Sequence, residues 1–204
     1  MKLLLYIHGK GGSAGEADHY KPFFPDHEVI GFDYSAQTPW EAAEEFPAFA
    51  DSLAGKYSQT IIIANSIGAY FAMSSLNGRN IDKAFFISPV ADMGRLILDM
   101  MELGNVTEDE LRQKGEIITA FGETLSWEYL SYARSHPPQW DVPTEILYGG
   151  RDNLTSRETI SAFTKRIGAG LTVMEDGEHW FHTAEQMAFL DSWIKNSLRK
   201  NDQA

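Results

Sequence analysis

Residues 60–70 read Thr-Ile-Ile-Ile-Ala-Asn-Ser-Ile-Gly-Ala-Tyr, an apolar run that continues through a serine into a second apolar segment. The run before the serine predicts a strand buried on both faces, and the segment after it predicts a helix. Ser66 then lies at the apex of a sharp strand-to-helix turn, which requires small residues two positions before and after it. Ala64 and Gly68 meet this requirement. The stretch predicts a nucleophile elbow, and the alternative is that Ser66 only caps the helix.

Outside this stretch, further short apolar runs have the same continuous character, at residues 3–7, 28–33, 83–88, 144–148 and 171–175. Helix-start signals, with a hydroxyl three residues before a Glu or Gln, occur at Thr38, Thr155 and Thr183. Strands that alternate with helices predict an α/β fold. We expect a doubly wound, mostly parallel sheet of about six strands flanked by helices.

One long interval, from Pro89 to Val142, contains no convincing strand and exceeds the length of an ordinary crossover. A capping signal at Thr107, followed three residues later by Glu110, indicates at least one helix within it. We therefore expect residues 1–204 to form a single domain that carries a small helical cap insertion at about residues 90–142.

The composition excludes several kinds of chemistry. The 204 residues include no Cys, so there is no disulfide, thiol nucleophile or Cys-ligated metal. With 17 Lys and Arg against 29 Asp and Glu, the net charge of -12 disfavours binding to nucleic acid or to an anionic membrane. The first apolar run is too short for a signal sequence, and no stretch approaches the roughly 20 apolar residues of a membrane span. We expect a soluble, cytoplasmic protein.

A glycine-rich loop, residues 8–13, follows the first predicted strand and allows two interpretations. In the first, Gly9, Gly11 and Ala14 match the spacing of a dinucleotide-binding fingerprint, and Asp33 lies where a ribose-binding carboxylate would. In the second, backbone amides of the loop bind an oxyanion that forms only during a reaction.

Two features weigh against a nucleotide-binding loop. The helix that must follow a dinucleotide fingerprint would meet Pro22 and Pro25 and lacks a clear apolar face. A Walker loop is excluded because its Lys follows the second Gly, whereas Lys10 precedes Gly11. The oxyanion-loop interpretation is therefore favoured, although the dinucleotide alternative stays open.

Two further candidate residues follow predicted strands late in the chain. Asp152 comes just after the run at 144–148, and His179 comes just after the run at 171–175. Because the carboxyl ends of parallel strands meet at one edge of a sheet, Ser66, Asp152 and His179 are predicted to converge there. Their chain order is serine, acid, histidine.

With these motifs, the sequence resembles the α/β-hydrolase superfamily over essentially its whole length, from the His8-Gly9 loop to the last predicted helix. The family pattern is Gly-x-Ser-x-Gly, so Ala64 is a mild, sterically acceptable departure. The resemblance implies a serine hydrolase with Ser66 as nucleophile, His179 as base and Asp152 as acid. It also implies an oxyanion hole formed by the backbone amides of Ile67 and Lys10.

An esterase-like hydrolase of this kind needs no metal and no organic cofactor, and its partner would be a small-molecule acyl substrate. Two alternatives stay open. One is a nicotinamide-dinucleotide-binding enzyme that uses the Gly9-Gly11 loop, and the other is a non-catalytic binding protein with a hydrolase fold.

The second histidine of this region, His182, competes with His179 for the role of base. His179 is preferred because a short turn separates it from the preceding strand, so that its imidazole can fold back towards Ser66. His182 immediately precedes Thr183, the predicted cap of the last helix, which assigns it a supporting or packing role. A metal site built on this histidine pair is disfavoured because no third ligand is evident.

The predicted cap is expected to cover the mouth of the site. Trp127, Tyr129 and Tyr132 are the candidate substrate-binding residues in its wall, with packing against the domain as the alternative for each. Lys10 and Arg151 flank the predicted site in an acidic chain and suggest a substrate with a carboxylate. The alternative for these two cations is that they point to solvent or pair with nearby acids.

Overall fold

The computed structural model describes residues 1–201. The strands within this range are β1 (Lys2–Ile7), β2 (His27–Phe32), β3 (Gln59–Asn65), β4 (Lys83–Ile87), β5 (Glu116–Ile118), β6 (Thr124–Ser126), β7 (Thr144–Gly149) and β8 (Gly170–Met174). The α-helices are α1 (Pro39–Leu53), α2 (Ser66–Ser75), α3 (Met93–Leu103), α4 (Glu108–Lys114), α5 (Trp127–Ser135), α6 (Arg157–Ile167) and α7 (Ala184–Asn201). A 3-10 helical segment, Ala14–Phe23, connects β1 to β2.

The main sheet has six strands in the order β2-β1-β3-β4-β7-β8, and every neighbouring pair is parallel. Each of the six predicted apolar runs overlaps one of these strands. The predicted α/β class and the six-stranded, doubly wound sheet are therefore confirmed. The order changes direction between β1 and β3, which is where a doubly wound sheet opens a crevice at its carboxyl edge.

Both faces of the sheet are covered, which explains why its strands are continuously apolar. In β1, Leu3, Leu5 and Ile7 belong to one buried cluster, which includes residues of α1, α2 and α6. The alternate residues Leu4 and Tyr6 belong to a second cluster, formed with the 3-10 segment and α7. Successive side chains of a strand point to opposite faces, so a strand between two helical layers is apolar at every position.

The predicted helix starts are correct in all but one detail. Thr38, Thr107 and Thr183 each accept a hydrogen bond from the backbone N–H three residues later, at 3.3, 3.2 and 3.2 Å. In α6, however, Ser156 rather than the predicted Thr155 is the cap. Thr155 is buried, and its hydroxyl instead donates to the carbonyl oxygen of Pro89 at 3.3 Å.

The segment from 90 to 142 contains α3, α4, β5, β6 and α5 between the sheet strands β4 and β7. The antiparallel pair β5-β6 corrects the expectation of a strand-free insertion. It was missed because each strand has only three residues, too few to show a period of two.

Leu111, Leu125 and Leu130 of this segment are buried in the same cluster as the neighbouring face of the sheet. The division of the chain into a domain and a cap at about 90–142 stays a prediction. No helix among residues 1–201 is both long enough and apolar enough to cross a bilayer.

We predict that Gly68→Ala lowers the free energy of unfolding by about 1–3 kcal/mol, because overpacking forces the backbone apart. A Cβ atom added at Gly68 would collide with the carbonyl oxygen of His8, so α2 would have to move away from β1. Urea unfolding followed by circular dichroism measures the change.

Gly94→Ala in α3 is the matched control, since a Cβ there would meet its nearest neighbour at an ordinary 3.5 Å. It should leave stability unchanged or raise it by at most about 1 kcal/mol. Equal effects of the two substitutions would contradict the packing argument.

Candidate active site

Ser66 occupies the sharp turn that the sequence predicts. It directly follows β3, begins α2 and has a φ of 50°, in the left-handed region that non-glycine residues rarely adopt. The loop after β1 packs against this turn, since a Cβ atom added at Gly9 would lie 3.1 Å from the Cβ of Ser66. The β4 exit adds a hydrogen bond of 3.1 Å from the Val90 N–H to the Ser66 carbonyl oxygen. Three strand ends therefore hold the serine in place.

A chain of hydrogen bonds joins the three residues predicted to converge. Ser66 Oγ lies 2.8 Å from His179 Nε2, and His179 Nδ1 lies 2.7 Å from Asp152 Oδ2. The Asp152 side chain is fully buried, and the His179 side chain is 14% exposed. With Nδ1–H donating to the carboxylate, Nε2 is free to accept the serine proton.

Asp152 is oriented by its own backbone surroundings. Its second oxygen, Oδ1, accepts from the N–H groups of Leu154 and Thr155 at 2.8 and 3.0 Å. The two carboxylate oxygens therefore have different roles, because Oδ1 is saturated by amide donors and Oδ2 faces the histidine. Hydrogen bonds to the ionised form compensate the burial of the charge.

Two adjacent glycines bring the loops of Asp152 and His179 together. Added Cβ atoms at Gly149 and Gly150 would collide with the carbonyl oxygens of Glu178 and Glu175, respectively. Backbone contact this close leaves no room for a side chain. The Gly150 N–H also donates to the Met174 carbonyl oxygen at 2.8 Å, which extends the pairing of β7 with β8. The sequence prediction gave Gly149 and Gly150 no role, although two glycines directly after a predicted strand can indicate a close backbone approach.

The two predicted amide donors belong to the two segments that adjoin Ser66, the start of α2 and the glycine-rich loop. Ile67 is in the first turn of α2, where backbone N–H groups have no partner within the helix. Lys10 is the second residue of a turn closed by the Gly12 N–H and the Gly9 carbonyl oxygen at 3.1 Å. The turn hydrogen bond uses the N–H of Gly12 and leaves the N–H of Lys10 out of the turn. An anion beside Ser66 would also lie at the positive end of the α2 dipole.

No protein-family model matches the sequence. A curated relative from Mycoplasma genitalium, named "Putative esterase/lipase 3", is 31% identical over 77 residues, which cover 36% of this chain and 28% of the relative. The structure of Est1E from Butyrivibrio proteoclasticus covers the whole chain with a TM-score of 0.76 at 14% identity, and 89% of Est1E is matched. Mouse alpha/beta hydrolase domain-containing protein 10 has a TM-score of 0.75 at 17% identity, with 97% and 89% covered.

The chain has the α/β-hydrolase fold. A structure of Est1E with bound ferulic acid is also similar, with a TM-score of 0.74 at 16% identity over 100% of this chain and 90% of that one. At these identities the solved structures show the fold alone. This chain spans little more than a quarter of the length of the esterase/lipase relative.

Within the hydrolase fold, the second histidine has different partners. His182 stacks on the ring of Trp180 at 4.6 Å, and its Nδ1 lies 2.7 Å from the Trp180 carbonyl oxygen. Its backbone N–H donates to Gln186 at the start of α7. His179, rather than His182, is the residue within hydrogen-bond distance of Ser66.

The glycine-rich loop continues into the 3-10 segment Ala14–Phe23, which contains Pro22. An α-helix would be needed there to place its N-terminus against a pyrophosphate, so this geometry weighs against the dinucleotide alternative. Among residues 1–201, no three His, Asp or Glu side chains are grouped so as to hold a metal ion.

The two cations near the site both have carboxylate partners. Lys10 Nζ lies 2.6 Å from Glu123, in the turn between β5 and β6, and Arg151 pairs with Asp176. These ion pairs favour the alternative that the sequence left open, pairing with nearby acids, over recognition of an anionic substrate.

The three predicted wall residues lie on α5, where they pack in different ways. Trp127 and Tyr129 are partly buried against the cluster that includes residues of α1, α2 and α6. The ring of Tyr132 instead stacks on the ring of His136, with 4.2 Å between the ring centroids. Trp40 of α1, which the sequence did not single out, contacts the rings of Tyr129 and Tyr132 at 5.8 and 5.5 Å.

The Tyr129 hydroxyl is buried without a hydrogen-bond partner, and burial raises its pKa above the usual value. Within residues 1–201, none of these rings hydrogen-bonds to Ser66, Asp152 or His179, and none stacks on the His179 ring.

We predict that Asp152→Asn reverses the tautomer of His179. The amide donors of Leu154 and Thr155 would retain the Asn carbonyl oxygen, which places the Asn amide group opposite His179 Nδ1. Nδ1 would then have to accept a hydrogen bond from the Asn amide, so the imidazole proton would move to Nε2. With a proton on it, Nε2 could no longer accept the proton of Ser66.

Long-range ¹⁵N–¹H correlations of the imidazoles should show Nδ1–H in the unmodified chain and Nε2–H in the variant. His182 serves as the internal control and should keep its tautomer. An unchanged His179 tautomer would contradict this account of the hydrogen bonds around Asp152.

Proposed function

We propose that this chain is a serine hydrolase that cleaves an ester or related acyl bond through a covalent acyl-enzyme. The observation that carries the proposal is the hydrogen-bond chain from Ser66 through His179 to the buried Asp152, at 2.8 and 2.7 Å. A serine hydroxyl is a weak nucleophile at neutral pH and requires a base placed in this way.

In the acylation step, Ser66 Oγ bonds to the substrate carbonyl carbon while its proton passes to His179 Nε2. The carbonyl π electrons move to oxygen and form the tetrahedral oxyanion. When the intermediate collapses, the bond to the leaving group breaks, and the departing oxygen takes the proton from His179. Asp152 stabilises the transient imidazolium and keeps the ring oriented.

The oxyanion would be bound by the amides of Ile67 and Lys10. Donors that are already in place require little reorganisation as charge develops, and losing one such donor typically lowers kcat by about 100-fold to 1000-fold. In the second half of the reaction, water replaces the leaving group, and His179 removes its proton as it attacks the acyl carbon. The second tetrahedral intermediate collapses as the bond between the acyl carbon and Ser66 Oγ breaks, and Oγ takes the proton back from His179, which releases a carboxylic acid and restores the Ser66 hydroxyl.

The proposed substrate is a small acyl compound, and the mechanism uses no metal or organic cofactor. Ferulic acid is a ligand of the similar Est1E, so esters of aromatic acids belong in a substrate panel beside aliphatic ones. Location in the cytoplasm and the lack of a nucleic-acid partner remain predictions from composition.

We predict that a fluorophosphonate probe adds one label to the chain and that peptide mapping places it on Ser66. The probe reacts at an activated serine, so Ser66→Ala should abolish labelling. His179→Ala should slow labelling by several orders of magnitude, and His182→Ala should retain most of it. Intact-mass analysis over time gives the rates.

Ser88→Ala is the matched control. Ser88 also has a positive φ, of 42°, but it is buried and its hydroxyl has no hydrogen-bond partner, so its removal should leave labelling unchanged. An unlabelled native chain would overturn the hydrolase proposal. Binding of NAD in a parallel calorimetric titration would favour the dinucleotide alternative. If the chain shows neither labelling nor NAD binding, the non-catalytic binding protein is favoured.

We further propose that the aromatic residues of α5 form the acyl-facing wall. Trp127→Ala, Tyr129→Ala and Tyr132→Ala should each change the ranking of acetyl, butyryl, octanoyl and hydroxycinnamoyl esters. Reshaping a hydrophobic pocket by a methylene or more typically alters kcat/KM about 10-fold to 200-fold between neighbouring substrates.

Tyr129→Phe keeps the ring and removes only the hydroxyl, so it should leave the substrate ranking unchanged. Its hydroxyl has no partner, so its removal breaks no hydrogen bond and should not lower the thermal midpoint. Tyr70→Phe, which removes another buried and unpartnered hydroxyl, is the matched control. Changes in stability with an unaltered substrate ranking in the three alanine variants would mean that these rings only pack.

A further inference from the structure

A second hydrogen-bond chain begins at the residue immediately before Ser66. The Asn65 side-chain amide donates to the Tyr6 hydroxyl at 2.8 Å, and Tyr6 in turn donates to Glu16 Oε2. Asn65 ends β3, Tyr6 lies in β1, and Glu16 lies in the 3-10 segment. One hydrogen-bond chain that ends at the Glu16 carboxylate therefore joins three separate elements, one of which ends directly before Ser66.

The other oxygen of the same carboxylate holds the glycine-rich loop. Glu16 Oε1 accepts from the Ser13 N–H at 3.2 Å. A Cβ atom added at Gly12 would lie 2.9 Å from this oxygen, so the carboxylate packs directly on the loop backbone. The loop between these contacts and β1 includes Lys10, whose amide is one of the two proposed oxyanion donors.

We propose that Glu16 is a positioning residue that sets the Lys10 amide relative to Ser66, through Tyr6 and Asn65 on one side and the loop backbone on the other. This inference rests on the proposed hydrolase function and deepens it, because it concerns how the oxyanion site is assembled. Glu16 itself touches no reacting atom.

The chemistry of the network requires a carboxylate at this position. Tyr6 O–H and Ser13 N–H donate to different oxygens of Glu16, so the side chain must present an acceptor in two directions. A glutamine has only one acceptor oxygen, and it would leave one donor without a partner. Tyr6 is 1% exposed, and its burial, together with the Glu16 hydrogen bond, raises its pKa, so its hydroxyl stays protonated as a donor.

The location of the network explains why it would act on the reaction rather than on the whole fold. Glu16 is an exposed residue of the 3-10 segment. Its hydrogen-bond chain links the start of this segment to the carboxyl ends of β1 and β3. Losing one contact should let the loop shift by a fraction of an ångström without opening the core. Oxyanion donors are sensitive to displacements of this size.

The test uses the full chain with Glu16→Gln, Tyr6→Phe and the double variant. We expect each single variant to lower kcat on an activated ester about 10-fold to 100-fold while KM changes less than about threefold, since the loss falls on the transition state. The inhibition constant of a trifluoromethyl ketone, whose adduct carries an oxyanion, should rise in parallel with the loss of kcat/KM. The double variant should lose no more than the worse single variant, because both break one network.

Tyr57→Phe is the matched control. Tyr57 also donates to a glutamate, Glu28 at 2.8 Å, but this pair includes the β2 residue opposite Leu3, near the amino end of β1. It should leave kcat, KM and the inhibition constant unchanged. Glu16→Asp retains two acceptor oxygens and should recover part of the activity lost in Glu16→Gln.

The outcomes separate this inference from the proposed function. If fluorophosphonate labels the native chain and Glu16→Gln shows unchanged kcat and inhibitor affinity, the positioning role is wrong although the hydrolase stands. The role is also wrong if Glu16→Gln lowers the thermal midpoint and changes KM, while the inhibition constant of the ketone changes only as much as KM does and kcat stays the same. An unlabelled native chain defeats the proposed function before the variants are compared.

Discussion

The left-handed backbone of Ser66 is the constraint on which the rest of the site depends. A non-glycine residue with a φ of 50° costs about 1–2 kcal/mol, so the surrounding structure must hold it. The backbone of Ser66 is held by contacts with the segments that follow the two neighbouring strands, at Gly9 after β1 and at Val90 after β4. The same geometry brings α2 against the His8 carbonyl, which leaves space only for glycine at position 68.

The opposite half of the site depends on backbone contact between the exits of β7 and β8. Gly149 and Gly150 let the loop of Asp152 pack against the loop that leads to His179. The Arg151 N–H adds a hydrogen bond to the Gly177 carbonyl oxygen at 2.8 Å. With both loops joined in this way, the distance from acid to histidine is set by main-chain packing, which varies less than side-chain packing.

The sequence was sufficient to predict the six sheet strands, because burial on both faces makes each one a continuous apolar run. It was also sufficient to bring Ser66, Asp152 and His179 to one edge, because each follows a strand and all the sheet strands run in the same direction.

The short β5-β6 pair, the contact of Trp40 with α5 and the convergence of Glu16 on Tyr6 could not be predicted in this way. Each depends on the path that a connecting segment takes in three dimensions, and no local period or spacing encodes that path.

The β5-β6 turn, which contacts the glycine-rich loop, shows that burial and charge contribute differently to the placement of a segment. The Lys10–Glu123 ion pair joins the turn to the glycine-rich loop, but its side chains are 68% and 40% exposed. Exposed pairs typically contribute at most about 1 kcal/mol, and salt screens them.

Leu111, Leu125 and Leu130 from the same segment are at most 2% exposed, and burying a leucine side chain typically contributes about 1.5–3 kcal/mol. Their combined burial exceeds the contribution of the ion pair several-fold. The main-chain path of the segment is therefore determined by its buried leucines, and the ion pair adjusts only the outer edge of the turn next to Lys10.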